Sequence, residues 1–390
     1  MATENRVSMF AFPTRVLFGA GALRELGNEM KHLGIRRPLL VTDPGVVNSG
    51  IAEQVISETR RAGVSAVVFD AVNSNPVEKN VTEGLDAYRG ANCDGVIGLG
   101  GGSPLDTAKA IRLVTTHPMP LEQYDDKFNG GEKIGPQLPP MIAIATTSGT
   151  GSEVGRSTVI ILKATDRKTV IFSPHLIPSV AIDDPELTLG MPPRITAGTG
   201  LDALTHNVEA YLSKGYHPLC DAIALQGVRL AARNLATAVH DGGNLAARTN
   251  MMMAAIMGAV AFQKGLGAVH SLAHPLSSIA NLHHGTANGI LLPPVLEFNR
   301  LTSESRLRDI AVAMELDVLG LNAAEAASAV IARIRNLLKE VDIPDRLSDF
   351  GITREMIPGL ARKAMEDACH TLNPRPCTEA DMVALYEQAL

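Results

Sequence analysis

The 390-residue chain carries 35 Lys and Arg against 41 Asp and Glu, a formal net charge of -6, and only 4% aromatic residues. That length favours two domains. An acidic chain with no basic cluster and few stacking side chains excludes nucleic acid as a partner.

The opening MATENRVSMF has no apolar run and carries Glu4, so it does not read as a secretory signal. Cys93, Cys220, Cys369 and Cys377 are scattered and form no CxxC pair. Reduced thiols and a cytoplasmic protein are the expectation. The longest apolar run, MMMAAIMGAVAF at 251–262, falls short of the roughly 18 residues of a membrane span and reads as a buried helix. No membrane partner is expected.

The first half alternates short apolar runs with helical patterns. RPLLVTD, SAVVFD, DGVIGLG and PMIAIATT read as strands, with helices near 49–62 and 77–89 and over LDTAKAIRLV. This rhythm predicts a parallel sheet covered on both faces, with ligands at the carboxyl ends of its strands. TVIIL, TVIF and VAIDD add strands up to residue 184. The Gly- and Pro-rich GMPPRITAGTG marks a boundary near 190. Beyond it the pattern is helical, near 201–213, 219–238, 245–264, 304–315, 322–340 and 379–389. The expected organisation is an α/β domain over 1–190 and an all-α domain over 191–390.

GLGGGSPLDTAKA at 98–110 follows a strand and opens a helix. Gly100, Gly101 and Gly102 let backbone N–H groups approach an anion, with Ser103 as N-cap, Pro104 in the first turn and Asp106 completing an acidic capping box. A helix start of this kind suits a phosphate, although it is neither the G-x-G-x-x-G fingerprint nor a Walker loop. A tight turn capped for stability alone would also explain it. ATTSGTGSE at 145–153 ends another strand with hydroxyls that suit a ribose or pyrophosphate, or a plain polar loop. Asp43 closes LLVTD as an acidic residue does when it bonds a ribose 2'-hydroxyl, which favours NAD over NADP. A turn-initiating Asp before Pro44 is the alternative.

Asp202 and His206 lie four apart in a helical pattern and share a face. His270 and His274 have the same spacing, but Pro275 disfavours helical geometry at His274. His284 stands beside Gly285, where a loop could turn its ring inward. Histidines and one carboxylate from helices suit Fe(II) or Zn(II), while satisfied core histidines are the bland reading.

Taken together, GGGSPLDTAKAI, TTSGTGSE, GLDALTHNVEAY and GAVHSLAHPL with HHGTANGILLP resemble the iron-containing (group III) alcohol dehydrogenase family over nearly the whole chain. The resemblance implies a dehydroquinate-synthase-like, Rossmann-type α/β domain, an all-α domain and an active site in the cleft between them. It implies metal ligation by Asp202, His206, His270 and His284, and places His274 as a proton-relay residue. For NAD it implies Asp43 and Asn75 on the adenosine and ribose side, Gly101, Gly102 and Ser103 on the pyrophosphate, and Asp106, Thr146, Thr147 and Lys168 along the rest. His283 and Pro294 depart from the family pattern, and His283 has no assigned role. The implied activity is reversible hydride transfer between a small alcohol or aldehyde and NAD, with Fe(II) ahead of Zn(II) as Lewis acid, in a cytoplasmic homodimer or larger homo-oligomer. A glycerol-dehydrogenase-like polyol oxidoreductase and a dehydroquinate-synthase-like lyase share the architecture and are the rival readings. The mostly small, apolar neighbours in GLGAVHSLAHPLSSIA favour a simple alcohol.

Overall fold

A computed structural model describes residues 10–12, 15–164 and 167–390. Two compact units are present, one of residues 15–199 with Thr237–Met252, the other of Gly200–Ala236 with Met253–Leu390.

In chain order the first unit contains β1 (Arg15–Phe18), α1 (Leu26–Leu33), β2 (Pro38–Val41), α2 (Pro44–Asn48), α3 (Ile51–Arg61), β3 (Val67–Phe69), α4 (Glu78–Gly90), β4 (Gly95–Gly100), α5 (Gly102–Thr116) and β5 (Met141–Ala145). A hairpin of β6 (Ser157–Leu162) and β7 (Arg167–Phe172) precedes β8 (Val180–Asp183). Six strands form one parallel sheet in the order β1-β8-β5-β4-β2-β3, and β6 and β7 pair antiparallel apart from it. Along β2, β4 and β5 alternate residues enter different cores. Leu39, Val41, Val96 and Ala143 pack on one face with Ile111 and Leu113, while Leu40, Ile97, Leu99, Ile142 and Ile144 pack on the other with Leu26 and Val55. Burial on both faces is why these strands read as continuous apolar runs instead of alternating ones.

The sheet order places a topological switch point between β2 and β4. The chain passes from β2 outward to β3, then returns to the other side of β2 with β4 and continues to β5. The crossovers leave in opposite directions there and open a crevice at the strand ends.

The helices that follow are α6 (Pro193–Leu212), α7 (Pro218–His240), α8 (Leu245–Ala261), α9 (Ala268–Ile279), α10 (His284–Ala313), α11 (Ala323–Glu340), α12 (Ile357–Glu366) and α13 (Glu379–Ala389). The apolar run at 251–262 belongs to a longer helical stretch, Leu245–Lys264, which by length and composition could cross a membrane. More than half of it is buried inside the protein, as in a soluble core helix.

Three local expectations fail for identifiable reasons. The helix near 201 begins instead at Pro193, since a proline has no N–H to lose in the first turn. The helix near 304 is the end of the 30-residue α10, which continues through Pro293 and Pro294, both buried. Pro275 does not keep His274 out of helical geometry, because it lies inside α9. Its own φ is already helical, and burial of Leu272, Ala273 and Leu276 offsets the lost hydrogen bond.

Candidate metal and nucleotide sites

Asp202 and His206 lie one turn apart on α6, and the side chains leave one face of that helix. His270 comes from α9 and His284 is the first residue of α10. Their ring Nε2 atoms converge on one carboxylate oxygen. Asp202 Oδ1 is 3.8 Å from His206 Nε2, 3.9 Å from His270 Nε2 and 3.7 Å from His284 Nε2. The rings of His206 and His270 stack at 4.7 Å between centroids. Asp202, His206 and His270 are buried, while the His284 side chain is 26% exposed, so the cluster has one accessible side. Gly258 on α8 permits this packing, since a Cβ there would lie 2.9 Å from His206 Cβ.

Two residues not singled out in the sequence, Glu209 and Asn288, hold the cluster, and a third, Asp367, holds His274 beside it. Glu209, on α6, faces His270 Nδ1 at 2.6 Å and accepts a 2.7 Å hydrogen bond from the Val269 N–H. Burial lowers the pKa of His270, but Glu209, with Asp202 and Asp367, more than reverses that and the net shift is upward. Asn288 on α10 donates to Asp202 Oδ1 at 2.7 Å. Asp367 Oδ2 is 2.7 Å from His274 Nδ1, and its Oδ1 accepts from Ser271 Oγ at 2.7 Å and Cys369 N–H at 2.9 Å. The i+7 step from Asp202 to Glu209 and the i+4 step from His284 to Asn288 were legible spacings. Asp367 had no such signal.

His274, Asp367 and Cys369 also bring ligand-type atoms within 4.8 Å of one another, but both Asp367 oxygens are engaged by the hydrogen bonds just given. His274 itself stacks on His284 with ring centroids 5.2 Å apart and planes 11° from parallel. His283 is exposed and is the N-cap of α10, its Nδ1 accepting from the Thr286 N–H. That gives it a structural task outside the Asp202 cluster.

In the first unit the predicted nucleotide residues lie at strand ends. Asp43 follows β2, Asn75 the end of β3, Gly101 to Ser103 follow β4, and Thr146 and Thr147 follow β5, while Lys168 is on β7. Asp43 and the glycine loop meet at the switch point, where Asp43 Oδ2 is 3.5 Å from where a Cβ on Gly100 would be. Asp43 also caps α2, its Oδ1 accepting from Gly45 N–H at 2.8 Å and Val46 N–H at 3.0 Å. The turn reading of Asp43 therefore holds, and its second oxygen faces the loop.

The helix start differs from the expected capping box. Gly101 is the N-cap of α5, and Ser103 is inside the first turn, donating through Oγ to Ser74 O at 2.6 Å. Asp106 does not reach back to Ser103. Its oxygens accept from Ser152 Oγ at 2.6 Å and Val159 N–H at 2.9 Å. With no side chain capping α5, its first-turn N–H groups keep their donor capacity. A Cβ on Gly102 would lie 2.8 Å from Thr150 Cγ2, so the 146–150 loop packs directly against the glycines. Thr146 N–H donates to Gly100 O at 3.0 Å and ties the two loops together.

Beneath these loops is a buried charged network. Lys109 Nζ donates to Ser152 Oγ at 2.9 Å and Ser157 O at 2.8 Å. Burial lowers the Lys109 ammonium to about 8, against the pull of Asp106 and Glu153. Burial raises the Glu153 carboxyl to about 7, and raises Asp183 well above the usual range with Glu153 adding to it.

Residues 13–185 match the family model of iron-containing alcohol dehydrogenase, and residues 196–390 match the C-terminal model of the Fe-containing alcohol dehydrogenase family. The chain therefore belongs to the iron-containing alcohol dehydrogenase family and is an oxidoreductase. It is 40% identical to the 1,3-propanediol dehydrogenase of Klebsiella pneumoniae over 98% of this chain and 99% of that one. It is likewise 40% identical to the 4-hydroxybutyrate dehydrogenase of Cupriavidus necator, covering 97% and 98%. The crystal structure of a 1,3-propanediol oxidoreductase superposes with a TM-score of 0.95 at 40% identity, covering 99% of this chain and 100% of that one.

Proposed function

We propose that this chain is an NAD- and iron-dependent dehydrogenase that transfers a hydride between nicotinamide and the terminal carbon of a small alcohol or the matching aldehyde. The observation that carries this reading is the convergence of three imidazole Nε2 atoms on Asp202 Oδ1. Separations of 3.7, 3.8 and 3.9 Å would let one cation lie within bonding reach of the carboxylate oxygen and the three imidazole nitrogens. Three imidazoles and a carboxylate suit iron(II). The same donors accept zinc(II), and the family match favours iron. Iron(II) held by Asp202, His206, His270 and His284 supplies a Lewis acid for the substrate oxygen, and NAD supplies the hydride acceptor.

The chain's own residues orient these groups and move the proton. Glu209 keeps a proton on His270 Nδ1, which turns the Nε2 lone pair toward Asp202. Asp367 does the same for His274 and leaves its Nε2 as the acceptor for the substrate hydroxyl proton. The partly exposed His284 marks the side from which substrate enters. In the nucleotide unit the first-turn N–H groups of Gly102 and Ser103, next to Gly101, receive the pyrophosphate. Asp43 accepts from a ribose hydroxyl, with Asn75 on the same side. Thr146, Thr147 and Lys168 line the remainder, and Asp106 contributes by anchoring Ser152 and β6.

Both relatives are named for short chains that end in a hydroxyl, which supports a terminal alcohol or diol of about that size as substrate. Four scattered cysteines with no CxxC pair support a reducing, cytoplasmic setting, and the family resemblance supports a homodimer or larger homo-oligomer. The test is NADH formation by the iron-loaded enzyme against a panel of terminal and secondary alcohols. Turnover of short terminal alcohols is expected. No NADH with any alcohol, and no NADH consumption with any aldehyde, would contradict the proposal.

A further inference from the structure

Asn288 is completely buried on α10, one turn after His284 and on the same helix face. Its Nδ2 is 2.7 Å from Asp202 Oδ1, 3.3 Å from His270 Nε2 and 3.2 Å from His284 Nε2. An amide nitrogen has two protons for these three acceptors, and the carboxylate is the nearest and the only charged one. The reverse orientation of the amide would set two acceptor oxygens 2.7 Å apart, so the nitrogen must face Asp202.

At the other end of the amide, Oδ1 is buried and accepts no hydrogen bond from the described residues. That is a desolvation cost which an apolar side chain of similar volume would avoid. Packing therefore does not account for an asparagine here. What the asparagine supplies and a leucine cannot is an N–H aimed at the carboxylate on which the imidazoles converge.

We infer that Asn288 is a positioning residue of the metal centre. Its amide fixes the rotation of the Asp202 carboxylate, keeping Oδ1 at the point shared by His206, His270 and His284. This rests on the metal-site reading above. Without a donor there, Asp202 and the three imidazoles present four electron-rich atoms to one another, and the carboxylate swings away from them. With it, the ligand set stays assembled and less ordering is left to be done when a cation is taken up.

The test measures iron(II) affinity of the metal-free, full-length enzyme under anaerobic conditions, in competition with a chromophoric chelator. Asn288→Ala and Asn288→Leu are each expected to weaken binding by about 10- to 100-fold. Leucine fills the volume without a donor, so equal losses in both variants separate donation from packing. In an Asp202→Ala background the same two changes are expected to cost less than about threefold more, since their effect acts through that carboxylate. Wild-type affinity in Asn288→Leu, or an undiminished loss in the Asp202→Ala background, would overturn the inference. Wild-type affinity in Asp202→Ala alone would overturn the metal-site reading instead, without reference to Asn288.

Discussion

His274 Nδ1 and Asp367 Oδ2 lie 2.7 Å apart, and the carboxylate of that pair is held from behind by Ser271 Oγ and the Cys369 N–H. Burial alone would raise the pKa of Asp367. His274 and the two other donors reverse this and hold the carboxyl well below its usual range. The carboxylate therefore stays ionised and fixes the His274 tautomer with its proton on Nδ1.

If His274 carries the substrate proton, Asp367→Ala should lower kcat by about 100-fold, within the span of general acid-base effects, while bound iron is unchanged. Because the two act as a unit, adding His274→Ala should cost little more. Steady-state kinetics with iron analysis on the same samples checks this. Unchanged kcat, or loss of iron from the single variant, would contradict the assignment.

The glycine loop makes a prediction confined to the nucleotide. A Cβ on Gly102 would lie 2.8 Å from Thr150 Cγ2, so Gly102→Val must push the 146–150 loop away from the first turn of α5. The apparent KM for NAD should rise at least about tenfold, the scale of one charge-assisted hydrogen bond. Iron content should be preserved. Titration of NAD by initial rates decides it, and an unchanged KM would remove this helix start from the nucleotide site.

Asp43 requires a substitution that separates its two tasks. Asp43→Ser keeps an N-cap oxygen for the Gly45 and Val46 N–H groups and removes the charge. The ratio of kcat/KM for NADP over NAD should rise about tenfold or more, because a 2'-phosphate would no longer meet a carboxylate. Stability should change by less than about 1 kcal/mol. An unchanged ratio would leave Asp43 as a cap alone.

The buried Glu153 gives a pH dependence whose sign is the reverse of the common carboxylate case. Its carboxyl rises from 4.5 to about 7 on folding, through burial first. Between these values the folded chain holds the proton more tightly, so this contribution is complete below about 4.5 and is lost as pH rises through about 7. Glu153→Gln should therefore raise the thermal midpoint relative to wild type at pH 8 and gain least at pH 4.5. Thermal unfolding at the two pH values measures it. An equal effect at both would mean that the Glu153 carboxyl is not raised on folding.

The parts of this architecture that sequence reasoning reached are those with a short-range signature. Strands β2, β4 and β5 were legible because burial on both faces leaves unbroken apolar runs, and Asp202 with His206 because a helix repeats its face every four residues. Ser103 was misplaced because Ser-Pro after a glycine run imitates an N-cap, whereas helical geometry begins at Gly102. Spacing favoured pairing His270 with His274. The family resemblance pointed to His284, and His284 Nε2 does approach the Asp202 oxygen, across a turn that contains the left-handed Asn281. Asp367 meets His274 from 93 positions away, a contact that no local pattern encodes.

The proposed activity requires an iron(II) ion at the Asp202 cluster for oxidation of a terminal alcohol by NAD. Its most direct test is an anaerobic titration of iron(II) into metal-free enzyme, following NADH formation with the short terminal alcohols of the panel. No rate is expected before iron is added, followed by a linear rise to a plateau at one iron per chain. Full turnover in verified metal-free protein, or no NADH with the site stoichiometrically filled, would contradict it.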